Sequence, residues 1–276
     1  MNLDLQTLNK VFFGKTMIVF IVPLKSRTIA TSWDRVSQLL ERTLRSICSQ
    51  SDENYRVVVV CNQLPNIKYS NQKIEFSIVD FSPKKQNDAR KTRIVNENDK
   101  ALRINVGLEV AKQHSPTHIM VVDADDCISN KIAEFVNTTI SNHGWYVTKG
   151  YFYREKSKYL IKKNNDFQLV CGTALILRPD VLHQWMQKKD GYLHFRHEKT
   201  NIGDIALSPL PFPAAVYCIS NGENFHMTSS RQKTLIRSNN INNIKVILKR
   251  ISNYTIVPYR KKLVESYGLY SIVNGN

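Results

Sequence analysis

Three nearly continuous apolar runs, separated by segments of helical spacing, restrict the fold of this chain most. The runs are TMIVFIVPL, YRVVVVCNQ and HIMVVDADD, at residues 16–24, 55–63 and 118–126. A strand with both faces buried has this pattern, and such strands are typical of parallel sheets that helices cover on both sides. A further segment, KIEFSIVDF at residues 73–81, predicts another strand.

Helices are predicted between these strands. Residues 32–50, 98–116 and 129–144 place apolar residues three and four positions apart, and Ser32 is a suitable N-cap for the first helix. The resulting β-α-β-β-α-β-α order predicts an α/β fold with a Rossmann-like, mostly parallel sheet flanked by helices.

The pattern changes after residue 144. Residues 144–161 are aromatic and alternating, which predicts antiparallel strands or a hairpin. Residues 167–187 predict a strand and then a helix, and the basic residues 231–276 predict a helical C-terminal extension. The aromatic residues of this region are predicted to lie mostly in the core, with ligand stacking as the alternative: Trp145, Tyr146, Tyr151, Phe152 and Tyr153.

The composition is that of an ordinary globular protein. Its 276 residues are 42% hydrophobic, which suits one large domain with an appendage. No segment approaches the ~20 apolar residues of a membrane helix, and the N-terminus lacks the features of a secretory signal. The five cysteines form no CxxC motif, so we expect reduced thiols, no zinc cluster and a cytoplasmic location.

Three carboxylates directly follow the apolar run that ends at Val122. Asp123, Asp125 and Asp126 stand where ligands bind in open α/β sheets, beyond the carboxyl end of a strand. Their mutual repulsion indicates a cation nearby, and carboxylate oxygens suit Mg²⁺ or Mn²⁺ shared with ligand phosphates. The alternative is that these acids only cap the following helix.

Four motifs of the first half occur in the order seen in one enzyme family: VFIVPLKSR, VVVVCNQ, NDKALRINVGLEVA and VVDADD. In the second half, GWYVTKGYFY, CGTALIL, PLPFPAAVY and GEN continue the match. Over residues 16–228 the chain resembles the GT-A glycosyltransferases, and is similar to family 2 enzymes of bacterial cell-surface polysaccharide synthesis. Two motifs depart from that pattern: the second strand ends at Cys61-Asn62 where Asp is common, and Arg103 stands one place early in its helix.

The resemblance implies transfer of a sugar from a nucleoside-diphosphate sugar to a hydroxyl of a glycan or lipid-linked acceptor. It also implies dependence on Mn²⁺ or Mg²⁺, and inversion of configuration at the transferred sugar. The catalytic domain would span residues 1–230, with a nucleotide-sugar-binding half at 16–144 and an acceptor-side half at 145–230. Residues 231–276 would form the extension.

The same resemblance predicts the residues that bind the donor. Lys25 and Arg27 would meet phosphate charge, and Asn62 would hydrogen-bond the base or the ribose. Lys100 and Arg103 lie one turn apart and would share a helix face toward the donor. Each of these residues has an ordinary alternative as a solvated loop, turn or helix-surface residue. The full predicted set is Pro23, Lys25, Arg27, Asn62, Lys100, Arg103, Asp123, Ala124 and Gly172.

The metal ligands are also predicted from the resemblance. Asp125 is the first ligand, Asp123 would bind the ion or the ribose, and Asp126 would support them. The late His226 would return to the metal as a third ligand, with an ordinary loop histidine as the alternative. The ion would act as a Lewis acid that neutralises charge on the departing nucleoside diphosphate.

An inverting transferase needs a base that takes the proton of the acceptor hydroxyl. The candidates are Asp204, Glu198 and His197, which lie in the segment YLHFRHEKTNIGDIALSPL. The sequence leaves this choice open, because each of the three is equally consistent with a polar surface residue.

The net charge of +16 favours anionic partners, and residues 231–276 hold nine Lys or Arg against a single acid, Glu265. One prediction is that this basic tail docks on the anionic inner face of a membrane. The alternative is a solvated helix packed on the preceding domain. The apolar face for docking would consist of Val246, Ile247, Ile251 and Ile256.

Two other functions compete with sugar transfer. A haloacid-dehalogenase-like phosphatase also carries D-x-D after a buried strand, but it has Thr or Val where this chain has Cys127. A non-specific nucleic-acid-binding protein would use the positive charge to neutralise phosphates. The sequence has no helix-turn-helix, zinc or RNA-binding signature to support that second alternative.

Overall fold

The computed structural model describes residues 16–84, 86–223 and 252–270. The fold is α/β, with a mixed sheet of mostly parallel strands flanked by helices. The elements of the first half are β1 (Ile18–Pro23), α1 (Trp33–Ile47), β2 (Tyr55–Cys61), β3 (Ile74–Ile78), α2 (Ala89–Lys112), β4 (His118–Val121), β5 (Cys127–Ile128) and α3 (Ile132–Thr138). The predicted order is therefore confirmed, with the two-residue strand β5 in addition.

The second half consists mainly of short strands. They are β6 (Gly144–Tyr146), β7 (Gly150–Arg154), β8 (Tyr159–Lys163), β9 (Leu175–Leu177), β10 (Met186–Lys189), β11 (Tyr192–Phe195), β12 (Asn201–Ile202), β13 (Ile205–Ala206), β14 (Ser208–Pro209), β15 (Ala215–Ile219) and β16 (Tyr254–Pro258). The helices of this half are α4 (Pro179–Leu182) and α5 (Lys261–Tyr267), and 3-10 turns lie at Arg27–Ile29, Phe167–Leu169 and His183–Trp185.

The main sheet has seven strands in the order β14-β6-β9-β4-β1-β2-β3. Strands β3, β2, β1 and β4 are parallel, and β9 runs antiparallel to β4. Along β1, Phe20 and Val22 pack in the core beneath α1 and α3, whereas Val19 and Ile21 pack beneath α2 and α4. Both faces of β1 are thus buried, which explains its unbroken apolar sequence.

The two long helices begin at side-chain caps. The Ser32 hydroxyl accepts a hydrogen bond from Arg35 N at 3.2 Å, as the N-cap prediction required. Helix α2 begins at Ala89, well before the predicted position 98, because the Asp88 carboxylate accepts from Lys91 N at 2.8 Å. The first turns of α2 are polar and largely exposed, so no apolar period marked them.

A second sheet has five strands in the order β16-β8-β7-β15-β5. The predicted hairpin is present as the antiparallel pair β7 and β8, and β15 runs parallel to β7 on its other side. Strand β5 pairs with β15 and follows the acidic loop at 123–126 directly. That loop therefore leads from the main sheet into the second sheet.

The helical prediction for the C-terminal extension is wrong at residues 254–258, which form β16. This strand pairs antiparallel with β8, whose edge offers it a complete hydrogen-bonding ladder. Helix α5 follows, and Tyr267 and Leu269 join a core cluster with Leu160 of β8. The predicted apolar residues Val246, Ile247 and Ile251 lie outside the described residues.

Smaller predictions are also confirmed. All five cysteines are free thiols. Within the described ranges, no helix has both the length and the apolar content needed to cross a bilayer. The aromatic group is core-like: Trp145, Tyr151 and Tyr153 are buried, and Tyr146 and Phe152 are half-buried.

Candidate functional site

A cavity of about 180 Å³ opens where the parallel strands β1 and β4 end side by side. Strand β1 contributes Pro23 and the loop that follows it, β4 contributes the acidic loop, and one face of α2 completes the wall. Seven residues predicted from the sequence line this cavity: Pro23, Lys25, Lys100, Arg103, Asp123, Ala124 and Asp125. The structure therefore brings together most of the predicted donor site.

The loop after β4 presents two carboxylates to the cavity. Asp126 N donates to Asp123 O at 3.0 Å, which closes a tight turn, and Asp123 N donates to Thr173 Oγ1 at 2.9 Å. Asn221 Nδ2 donates to Asp125 Oδ2 at 2.8 Å. Burial, and then the negative charge of Asp123, raises the pKa of Asp125. Added positive charge in the cavity would therefore stabilise this pair of carboxylates.

Asp126 is fully buried and faces the protein interior. Its carboxylate accepts hydrogen bonds from Thr173 Oγ1 at 2.6 Å, Cys171 Sγ at 3.3 Å and Cys218 N at 3.1 Å. Burial, together with the charges of the two neighbouring acids, raises its pKa well above the ordinary value. Asp126 therefore fixes the acidic loop to β15 and to the segment before β9.

Lys100 on α2 contacts Asp123 directly, since its Nζ lies against Asp123 Oδ1. Burial lowers the pKa of Lys100, but the charge of Asp123 outweighs this effect and leaves the pKa above its ordinary value. Gly172 passes close to both groups: a Cβ at this position would lie 2.5 Å from Asp123 Oδ2 and 2.6 Å from Lys100 Nζ. Gly172 does not line the cavity itself, but only a residue without a side chain leaves this ion pair undisturbed.

Glu223 is a cavity residue that the sequence analysis did not single out. Its carboxylate accepts from Lys25 Nζ at 2.9 Å, from Ser32 N at 2.7 Å and from Thr31 N at 3.2 Å. Its backbone carbonyl accepts from Lys25 Nζ at 2.8 Å. Glu223 therefore caps the start of α1 and holds the Lys25 ammonium at the cavity. Its one signal in the sequence was its place in the GEN motif.

Arg103 and Asn62, both predicted to contact the donor, bind each other. Arg103 Nη2 donates to Asn62 Oδ1 at 2.6 Å, and Nε and Nη2 of Arg103 donate to the two Asp99 oxygens at 2.8 Å and 3.0 Å. Asn62 Nδ2 donates to Val79 O at 3.1 Å. Asn62 thus uses both ends of its amide within the fold and does not line the cavity.

Arg103 keeps a donor that the fold does not use. Its side chain is buried and lines the cavity, and its Nη1 has no hydrogen-bond partner within the described residues. A buried donor without a partner is costly.

A buried ion pair supports the acidic loop from behind. Arg42 on α1 donates from Nη1 to Glu155 Oε1 at 2.7 Å and from Nη2 to Asp125 O at 3.4 Å. Glu155 lies in the turn between β7 and β8. Helix α1 therefore links the second sheet to the loop that carries Asp125.

The three candidate bases lie outside the cavity lining. Burial, and then the positive charge of Lys100, lowers the pKa of His197, so its imidazole is neutral at neutral pH. Glu198 Oε1 lies 2.6 Å from Arg196 Nε in an ion pair. Asp204 is exposed in the turn between β12 and β13. His197 therefore interacts electrostatically with Lys100, which lines the cavity.

Another predicted donor-binding residue does not line the cavity. Arg27 lies in an exposed 3-10 turn and is not a lining residue. His226 lies outside the described residues. In residues 16–84, 86–223 and 252–270, no group of three His, Cys, Asp or Glu side chains is arranged to hold a metal ion. The acidic pair Asp123 and Asp125 is the part of the predicted metal site that these ranges contain.

Neither a scan against models of protein families nor a search of curated protein sequences found a match to this chain. The geometry and chemistry of the cavity are therefore the basis on which a function is assigned.

Proposed function

We propose that the protein is a metal-dependent GT-A glycosyltransferase, similar to family 2, that transfers a sugar from a nucleoside-diphosphate sugar. The observation that carries the proposal is the set of side chains at the ends of β1 and β4. Lys25, Lys100, Asp123 and Asp125 line one cavity there. This is the position at which ligands bind in open α/β sheets.

The mixed charge of the cavity fits a diphosphate and a divalent ion together. The ammonium groups of Lys25 and Lys100 are suited to phosphate oxygens. Asp123 and Asp125 are hard oxygen donors, and a site of one or two carboxylates completed by substrate phosphates is usual for Mg²⁺. Such an ion would supply Lewis-acid stabilisation of the leaving nucleoside diphosphate. The donor set at the cavity is thus sufficient for this ion without a third protein ligand.

The rest of the cavity fits a nucleoside. Leu24, Ile29, Val36 and Leu39 give it an apolar side, which suits the faces of a base or ribose ring. Asn96 and Asp99 add polar groups to the lining. An apolar pocket with a few placed polar groups is typical of small-molecule sites.

The transfer step needs a proton acceptor. In the proposed reaction, an acceptor hydroxyl attacks the anomeric carbon, the bond from that carbon to the diphosphate oxygen breaks, and the hydroxyl proton passes to a base. We assign that role to His197, because burial and Lys100 keep it neutral and able to accept a proton. Glu198 and Asp204 are the weaker candidates, since the first is paired with Arg196 and the second is exposed.

A thermal-unfolding screen tests this function. The full chain is heated with uridine, guanosine, cytidine and thymidine diphosphates, each with and without Mn²⁺. At 100 times its dissociation constant, a ligand that binds only the folded state adds about 2.7 kcal/mol to the free energy of unfolding. We expect one nucleotide to raise the melting temperature, and more strongly with Mn²⁺. No shift with any of the four would contradict the proposal.

The same screen, with duplex DNA added, distinguishes a glycosyltransferase from a nucleic-acid-binding protein, which is the main alternative. A nucleic-acid-binding protein would be stabilised by duplex DNA in a salt-sensitive way, without any effect of Mn²⁺ or nucleoside diphosphates. A glycosyltransferase would show the reverse selectivity.

A further inference from the structure

The outer two strands of the second sheet expose an apolar surface. Cross-strand partners lie on the same face of a sheet, and here Tyr159 pairs with Pro258 and Ile161 with Ile256. Ile256 is 71% exposed, Tyr159 56% and Ile161 44%. We call this surface the outer apolar face; it consists of Tyr159, Ile161, Tyr254, Ile256 and Pro258.

The reverse side of the same two strands is covered. Leu160 is fully buried there and packs in a cluster with Tyr267 and Leu269, which belong to the segment of α5. Within the described ranges of the chain, the outer apolar face is therefore the exposed side of a ribbon whose other side is buried. Its residues are exposed although the other side of the same strands is well packed.

The outer apolar face is continuous with the candidate site. The sheet register places Ile256, Ile161, Phe152 and Tyr217 in one row across four strands. The rings of Phe152 and Tyr217 are 5.9 Å apart, and Tyr217 lines the cavity. Tyr217 is buried and Phe152 is half-buried, so this row connects the sheet edge to the cavity through packed side chains.

Cations gather at one end of the outer apolar face. Lys156 and Lys158 lie in the turn between β7 and β8, and Lys261 and Lys262 follow β16. Tyr259 N donates to Lys158 O at 2.9 Å, which holds the two segments together. All four lysines are exposed. Glu265 lies 3.9 Å from Lys261, so the four lysines leave this end with a net positive charge beside an apolar surface.

We propose that the outer apolar face and its lysines bind an anionic lipid bilayer. Isoleucine and tyrosine side chains enter the boundary between head groups and acyl chains, while adjacent cations attract anionic head groups. A second copy of this chain would bring the two lysine clusters together, and nucleic acid would leave the isoleucines in water. An anionic bilayer is the partner that can contact the apolar side chains and attract the lysines at the same time.

Bound in this way, the protein holds its cavity beside the membrane surface. Residues Phe152 and Tyr217 then lie between the bilayer and the acidic pair. The head group of an acceptor anchored in the lipid would have to extend past strands β7 and β15 to reach the cavity. This consequence, unlike the binding itself, rests on the proposed sugar transfer.

Vesicle co-sedimentation of the full chain tests the binding. Vesicles of phosphatidylcholine alone are compared with vesicles that also contain phosphatidylglycerol, at low and high salt. We expect binding to the anionic vesicles only, and weaker binding at high salt. The double variant Ile161→Ser, Ile256→Ser should lose about tenfold in partition coefficient, since it removes apolar contact area.

Two further variants complete the design. Lys158→Glu with Lys262→Glu should also lose about tenfold or more, because each reversal replaces attraction by repulsion, and these residues lie outside the strands. Ile140→Ser is the matched control, since Ile140 is 64% exposed on another part of the chain; its binding should equal that of the wild type. Circular dichroism confirms that each variant is folded.

Three results would overturn the proposal. The first is no binding to anionic vesicles, and the second is equal binding by wild type and both double variants. The third is a dimer in light scattering that Ile161→Ser with Ile256→Ser dissociates, because the face would then be covered by a second copy. None of these results bears on nucleotide binding, so failure here and failure of the proposed function are distinguishable.

Discussion

Lys25 Nζ lies 2.9 Å from Glu223 Oε2, although the two residues are 198 positions apart in the chain. Because Glu223 also accepts from Ser32 N and Thr31 N, a single carboxylate orients a cavity ammonium and caps helix α1. The contact ties the loop after β1 to the segment after β15.

Removal of the Glu223 carboxylate should therefore affect both stability and the site. We expect Glu223→Ala to lower the free energy of unfolding by about 2–3 kcal/mol, since it leaves two backbone donors and a lysine without their acceptor. Glu223→Gln should cost about 1 kcal/mol, because its amide oxygen still accepts one of the backbone bonds. Urea denaturation measures both changes. Glu109→Ala is the control, because the Glu109 pair with Lys112 is exposed; an equal loss in this control would contradict the assignment.

Gly172→Ala should change the site and leave the fold intact. The added methyl group would meet the ends of the Lys100 and Asp123 side chains, which can move apart, so we expect a change in unfolding free energy within about 1 kcal/mol. The nucleotide-induced rise in melting temperature should be lost.

Gly144→Ala provides the comparison, because its methyl group would meet the backbone oxygen of Ile176 at 2.0 Å, and φ at Gly144 is +129°. That variant should be strongly destabilised in the same urea titration. If Gly172→Ala unfolds as easily as Gly144→Ala, the steric account of position 172 is incorrect.

The ion pair of Arg42 and Glu155 should show strong coupling. Both side chains are largely buried, so Glu155→Ala should cost about 3–5 kcal/mol, because it leaves the guanidinium without its charged partner. Arg42→Met should be less harmful, and the double variant should lose much less than the sum of the two. A double-mutant cycle in urea measures the coupling, and additive losses would exclude it.

His118 should make the protein less stable in mild acid. Burial, and then the positive charge of Arg178, lowers its pKa from 6.5 to about 4. Between these two values the unfolded chain takes up a proton that the folded protein does not, so the free energy of unfolding should fall as the pH drops. The full loss is about 3 kcal/mol.

His118→Phe isolates this effect, since phenylalanine keeps a ring against Trp145, whose centroid lies 4.8 Å from that of His118. The pH dependence of this variant, measured in urea at several pH values, should lack the step between pH 6.5 and 4 that the wild type shows. Identical pH profiles for the two proteins would assign the acid sensitivity to other groups.

Asp125→Asn should separate metal binding from folding. The asparagine oxygen can still accept from Asn221 Nδ2, which donates to Asp125 Oδ2 in the wild type. We expect the variant to fold normally and to retain the nucleotide-induced rise in melting temperature seen without Mn²⁺. The additional rise with Mn²⁺ should disappear, and its persistence would place the metal on other residues.

Much of the fold could be predicted because it depends on local pattern. The apolar runs of β1, β2 and β4, and the period of α1 behind Ser32, are visible within about 20 residues each. The position of Asp123 and Asp125 at the cavity could be predicted because both residues directly follow the apolar run of β4. These features need no knowledge of distant partners.

The misses share a physical reason, which is that the deciding partner is distant in sequence. Residues 254–258 became a strand because the edge of β8 offers them a ladder about 90 positions away. Asn62 does not line the cavity because its side chain accepts a hydrogen bond from Arg103 of α2. The role of the Glu223 carboxylate depends on its hydrogen bonds with Lys25 and with the backbone at the start of α1. No local pattern carries such information.

The hydrogen bond between Ser46 and Tyr267 has a consequence for synthesis of the protein. Ser46 Oγ donates to Tyr267 O at 2.6 Å and accepts from Ile128 N at 2.9 Å, directly after the acidic loop. Gly268 lies so close that a Cβ there would be 2.6 Å from Ser46 Cα. Because Tyr267 lies 221 positions after Ser46, this hydrogen bond cannot form until residue 267 has been synthesised. A nascent chain stalled before residue 267 would therefore lack this support behind the cavity.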